Sequence, residues 1–106
     1  MDQVMQLSYK ISFDGNDVYV KLVGSITLLK AKKFKEVILE FIDQGKFNVH
    51  IDLSSVDLID SMAISALIAL LKRTHEYGGQ LYLKNPNRFV RQVFEITRLN
   101  EVFTIR

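Results

Sequence analysis

The sequence predicts one domain of the α/β or α+β type on a mixed β-sheet, and three observations carry that prediction. Segments of strand periodicity alternate with segments of helical periodicity, in the order β-β-α-β-α-β-α-β. The first two strands are separated only by Asp14-Gly15-Asn16, which reads as a turn. They form an antiparallel hairpin, so the sheet is not purely parallel. The chain has 106 residues, is 48% hydrophobic and 25% charged, and contains one proline and no Gly/Ser tract. That composition supports one core without a linker, so residues 1–106 are expected to form a single domain.

Each element has its own reason. Leu7, Tyr9, Ile11 and Phe13 alternate with polar residues, the pattern of a half-buried strand. An edge position would suit it. Val18, Val20, Leu22 and Gly24 share one face of the second strand. Gly24 is read as its end, where the backbone turns or something packs close. Thr27 stands at the cap position of a helix whose apolar stripe is Ala31, Phe34, Val37, Ile38, Phe41 and Ile42, and Gly45 stops it. Phe47–Leu53 reads as a central strand, followed by a polar connection, Ser54-Ser55-Val56-Asp57. The run from Ser61 to Leu71 favours helix and is apolar almost all round, so it is buried on most sides. Gly78-Gly79 terminates it. Gln80–Lys84 is a strand. Asn85-Pro86 reads as cap and first position of a helix with Phe89, Val90, Val93 and Phe94 inward, and Glu101–Ile105 as a last strand.

Composition removes several functions. There is no cysteine, hence no disulfide, thiol chemistry or cysteine metal site. The net charge of +2 gives no case for nucleic acid. Lys30, Lys32, Lys33 and Lys35, followed by Glu36 and Glu40, read as a solvated helix face without interleaved aromatics. Met1–Ile11 lacks the pattern of a leader, and Met62–Leu71 is too short to span a bilayer. A cytoplasmic protein with no membrane insertion is expected. His50 and His75 show no zinc-ligand spacing. No phosphate-binding glycine loop occurs, and no complete catalytic set is visible: a carboxylate pair would have to come from Asp52, Asp57 and Asp60, and although Asp57 and Asp60 flank a loop, surface positions explain them equally well. Neither a cofactor nor an enzyme activity is expected.

The position that attracts attention is Asp60-Ser61, where a strand and a short loop give way to a helix. One reading is an ordinary cap, with Asp60 accepting from the N–H of Met62 or Ala63. The other makes Ser61 a phosphorylation site. An exposed serine in a first helical turn can carry phosphate near free backbone N–H groups without harm to the fold, while about two added negative charges repel a partner shaped for the hydroxyl.

The stretch Ile51-Asp52-Leu53-Ser54-Ser55-Val56-Asp57-Leu58-Ile59-Asp60-Ser61-Met62-Ala63 resembles the signature of the STAS domain, the family of the anti-sigma factor antagonists. Leu22-Val23-Gly24, Tyr77-Gly78-Gly79, Asn85-Pro86 and Phe94–Leu99 match the rest of that pattern in order. The resemblance implies an α/β fold with helices mainly on one side of the sheet. It implies an anti-sigma factor with serine kinase activity as partner, phosphorylation at Ser61, and a serine phosphatase that reverses it. The implied contact surface comprises Asp57, Asp60, Ser61, Met62, Ala63 and Ser65, with Gly24, Ser25 and Thr27 in the adjoining loop. Met62 and Ala63 depart from the Ser-Gly usual in the family. The alternative is a STAS scaffold or accessory of a signalling or lipid-transport complex, never phosphorylated.

Overall fold

The structure is a computed structural model, and it describes residues 9–106. The strand expectation at Leu7 and the reading of the first eight residues lie outside the described residues. Strand β1 (Tyr9–Asp14) and strand β2 (Asp17–Ile26) form the expected hairpin, with Asp14 opposite Asp17. Gly15 takes a φ of 62°, which suits the tight turn between twisted strands. Helix α1 (Leu28–Asp43), strand β3 (Asn48–Ile59), helix α2 (Ser61–Glu76), strand β4 (Gln80–Lys84), helix α3 (Arg88–Ile96) and strand β5 (Thr104–Ile105) follow. The sheet order is β1-β2-β3-β4-β5, antiparallel in the first pair and parallel in the rest.

That order explains the one-sided architecture. Each parallel connection steps to the next strand in the same direction. Right-handed crossovers taken in one direction put their helices on one face. The burial alternation agrees: Val18, Val20 and Leu22 of β2 are buried, while Tyr19, Lys21 and Val23 between them are exposed. Ala31, Phe34, Ile38 and Ile42 of α1 and Ala63, Ala66, Leu67 and Leu70 of α2 complete the same core, with Val90 and Phe94 of α3. At the far ends of α1 and α2, the Arg73 guanidinium donates to both Asp43 oxygens at 2.7 and 2.9 Å, and the Tyr77 hydroxyl adds a third bond at 3.0 Å.

The longest departure from expectation is β3. It does not stop at Leu53 but runs through Ser54-Ser55-Val56-Asp57 to Ile59. Two register irregularities in its pairing with β2 explain why the stretch looked like a loop. Val23 pairs with Ser55 and Gly24 with Val56, but Ser25 pairs with Leu58. Each bulge adds a residue, so the inward positions run Val49, Ile51, Leu53, then Val56 and Ile59. A period of two became a period of three without leaving the sheet. Gly24 likewise does not end β2. It holds a φ of 87° beside the second bulge, and the strand continues to Ile26. The nearest atom to an added Cβ there is Lys30 Nζ at 3.8 Å, an ordinary contact. Backbone conformation, not space, asks for glycine.

The glycines after α2 divide their work. Gly78 takes φ 76° and donates to His75 at 3.0 Å, while Gly79 donates to Thr74 at 2.8 Å, a paired C-terminal cap. Gly79 also lies where a Cβ would stand 1.9 Å from the Phe47 carbonyl oxygen. Asn85 does not cap α3. It turns the chain out of β4 with φ 56°, and Asn87 is the cap, accepting from Val90 N at 2.8 Å and donating to the Val56 carbonyl at 2.8 Å. Phe89 is exposed rather than inward. The expected last strand is a 3₁₀ turn, Leu99–Glu101, then β5, with Phe103 buried against Phe94.

Candidate functional site

The site forms where β2 and β3 end together. Ile26 pairs with Ile59, so the starts of α1 and α2 are side by side. Thr27 occupies the cap position of α1, with extended backbone, but its side chain makes no capping bond. Asp60 does that work from the neighbouring connection. Its Oδ1 accepts from Ala63 N at 2.9 Å, the ordinary cap of α2, and its Oδ2 accepts from Leu28 N at 3.1 Å. One carboxylate thus serves the first turn of two helices. The Ala63 and Leu28 N–H groups hold its pKa below the usual aspartate value, against a smaller opposing effect of desolvation.

With Asp60 committed to backbone, Ser61 stands exposed as the first residue of α2. Several large apolar side chains are exposed at the two helix starts and at the end of β3. Leu28 is 59% exposed, Leu29 72%, Leu58 40% and Met62 46%. Leu28 also holds a φ of 21°, a rare conformation for a leucine. Beside Met62 a groove of about 290 Å³ opens between α1 and α2, lined by Lys32, Lys35, Met62, Ser65 and Ala66.

Of the contact residues expected from sequence, Asp57, Ser61, Met62 and Ser65 are exposed, and Gly24, Ser25, Thr27 and Asp60 are partly exposed. Ala63 is not available. It is 0% exposed, because the third position of α2 faces the core, and its methyl cannot meet a partner. Leu28, Leu29, Lys32 and Lys35 were missing from the expected surface. Leu28 and Leu29 precede the α1 stripe and look in sequence like more core. Only the position of the helix start, beyond the sheet, leaves them outside.

The catalytic alternatives lose their geometry. His50 lies near the start of β3, on the open sheet face, stacked between Tyr19 and Tyr82 at 4.5 and 4.9 Å. Its Nε2 is 2.8 Å from Asp17 Oδ1. Ten strand residues separate it from Asp60, on the order of 30 Å. His75 closes α2, about 20 Å along the helix from Ser61. Neither can take a proton from the Ser61 hydroxyl. A depression of about 450 Å³ on the open face is lined by Lys10, Tyr19, Lys21, His50, Asp52 and Lys84 among others, but not by Asp57, so Asp52, Asp57 and His50 do not share a pocket. Among the described residues no group of three His, Asp or Glu side chains is placed to hold a metal. No described helix is long and apolar enough to cross a membrane.

Known proteins show the same frame. The anti-sigma-B factor antagonist of Bacillus subtilis (strain 168) is 26% identical over 101 residues, covering 95% of this chain and 92% of its own. The crystal structure of TM1081 from Thermotoga maritima superposes with a TM-score of 0.86 at 23% identity, over 92% of this chain and 84% of that one. SpoIIAA of Bacillus, an anti-sigma factor antagonist, has been solved unphosphorylated and phosphorylated. Each form has a TM-score of 0.76 at 16% identity and covers 92% of this chain, with 86% and 90% of SpoIIAA matched. At these identities the two solved proteins establish the fold. The model of the STAS domain matches residues 9–106, the hairpin, both bulges and the shared cap included, and this chain belongs to the STAS domain family.

Proposed function

We propose that this chain is an anti-sigma factor antagonist of the cytoplasm. It binds an anti-sigma factor with serine kinase activity through the surface around Ser61. Phosphorylation of Ser61 ends that binding, and a serine phosphatase restores it. The observation that carries the reading is the division of labour at the start of α2: Asp60 takes the backbone N–H groups of both helices, and Ser61 stands exposed where the two helix starts also expose large apolar side chains. Exposed apolar side chains together with an exposed hydroxyl suit a protein contact. A phosphate on that hydroxyl would put about two negative charges into the contact without touching the core. The name of the Bacillus subtilis relative and the existence of SpoIIAA in both forms support the same reading.

The experiment uses the purified protein, ATP and the serine-kinase anti-sigma factors of its source. Intact mass should rise by about 80 Da, one phosphate, with the modified peptide containing Ser61. Binding should fall with the mass change, and Ser61→Asp should not bind. Tight binding that survives Ser61→Asp, with no phosphate from any kinase, would favour the scaffold instead.

A further inference from the structure

Resting on that reading, we infer that the partner presents an acidic segment to the groove between α1 and α2. Lys32 and Lys35 draw it in, and a phosphate on Ser61 acts by taking over those lysines in its place.

The charge order of α1 is the first ground. All four lysines, Lys30, Lys32, Lys33 and Lys35, fall in its first eight residues, and all three acids, Glu36, Glu40 and Asp43, in its last eight. The helix macrodipole favours the reverse, acids at the start and cations at the end. The first turn of α1 holds no acid and its last turn no base. Ion pairing does not repair this. Among the described residues the ion pairs are His50–Asp17, Arg73–Asp43 and Arg73–Glu76, and no lysine takes part. Glu36, one turn from Lys32, is not within pairing distance. Among the described residues these lysines are thus left without an ion-pair partner in the fold, and an acidic partner would supply one.

The second ground is where the charge lies. Lys32 and Lys35 line the groove with Met62, Ser65 and Ala66. Ala66 is buried and small, Met62 is exposed and apolar, and Ser65 is exposed. The groove therefore has a cationic rim beside an apolar wall, the form that accepts an acidic segment with an apolar anchor. Ser61 lies four residues before Ser65, on the same side of α2 and one turn nearer the helix start. A phosphate there enters the field of the groove. Its charge meets the lysines in the same chain, so the partner's carboxylates lose their attraction and meet repulsion as well.

The test is association kinetics with a cognate anti-sigma factor at several salt concentrations. Lys32→Glu with Lys35→Glu should slow association at least about tenfold at low salt and flatten the salt dependence. Its melting temperature should stay nearly level, since both positions lie on the helix surface beyond the first turn of α1, where exchange of one surface charge for another changes stability little. Lys10→Glu with Lys72→Glu gives the same net charge away from the groove and should change association far less. An unchanged rate and salt dependence in the groove variant would overturn the inference while leaving the proposed function standing, and so would an equal loss in the control. If the unaltered protein binds none of the anti-sigma factors, the functional reading falls first and the inference with it.

Discussion

Asp60 accepts the backbone N–H of Leu28 across the gap between two helix starts, 32 residues away in sequence, while its other oxygen caps its own helix through Ala63. This bond sets how β2 and β3 hand over to α1 and α2, and so sets the surface that Ser61 belongs to. Asp60→Ala should therefore loosen both helix starts at once. In hydrogen exchange, the Leu28 and Ala63 amides should exchange about tenfold faster or more, with central β3 amides less affected. The denaturant midpoint should fall at constant slope. Faster exchange at Ala63 alone would mean that the link to α1 is not formed in solution.

The same carboxylate gives a pH dependence of known sign. Its folded pKa is depressed by the Ala63 and Leu28 N–H groups, and Asp43 is depressed by the Arg73 guanidinium and further by Tyr77. A depressed pKa stabilises the fold above the unfolded value, and that stabilisation disappears as pH falls through the folded one. Stability should be level near neutrality and decline below the ordinary aspartate range. Asp60→Asn and Asp43→Asn should each remove part of the decline when denaturant midpoints are followed with pH.

The two glycines after α2 should differ sharply. Gly78→Ala meets no atom within 4 Å but must hold φ 76°, which costs about 1–2 kcal/mol. Gly79→Ala would put a methyl 1.9 Å from the Phe47 carbonyl oxygen, so β3 and β4 must separate where their pairing begins. About 3 kcal/mol or more is expected, measured by denaturant unfolding. Equal losses would show that Phe47 moves aside freely.

Met62→Ala separates binding from folding. Met62 is 46% exposed and adds little to the core, so stability should change by no more than about 0.5 kcal/mol. Affinity for the anti-sigma factor should fall about tenfold in calorimetric titration, as for an apolar residue at the centre of a contact. Unchanged affinity would place the contact elsewhere and count against the proposed surface.

Much of this was legible in the sequence. The α1 stripe, the apolar α2, the short β4 and the hairpin each rest on local periodicity, which a chain carries in its own residues. Asp60 as a cap was legible for the same reason, since a cap bonds three residues ahead. Periodicity failed at Ser54–Ile59 because bulges are a property of pairing. The added residues have meaning only against β2. Asn85-Pro86 carries the sequence signal of a helix start, but the cap is Asn87, held by its contact with the Val56 carbonyl, which no local pattern shows.

What the sequence determined by itself was the order of elements, the inward faces of β2 and α1, and a serine at the start of a helix after an aspartate. The tertiary structure decided that Asp60 serves two helices, that Ala63 faces inward, that Leu28 and Leu29 are left exposed at the start of α1, and that Lys32 and Lys35 share a groove with Met62 and Ser65. The physical reason is distance along the chain. Local patterns specify a segment's own conformation, but a surface is assembled from segments some thirty residues apart, and its composition exists only once the sheet has brought their ends together.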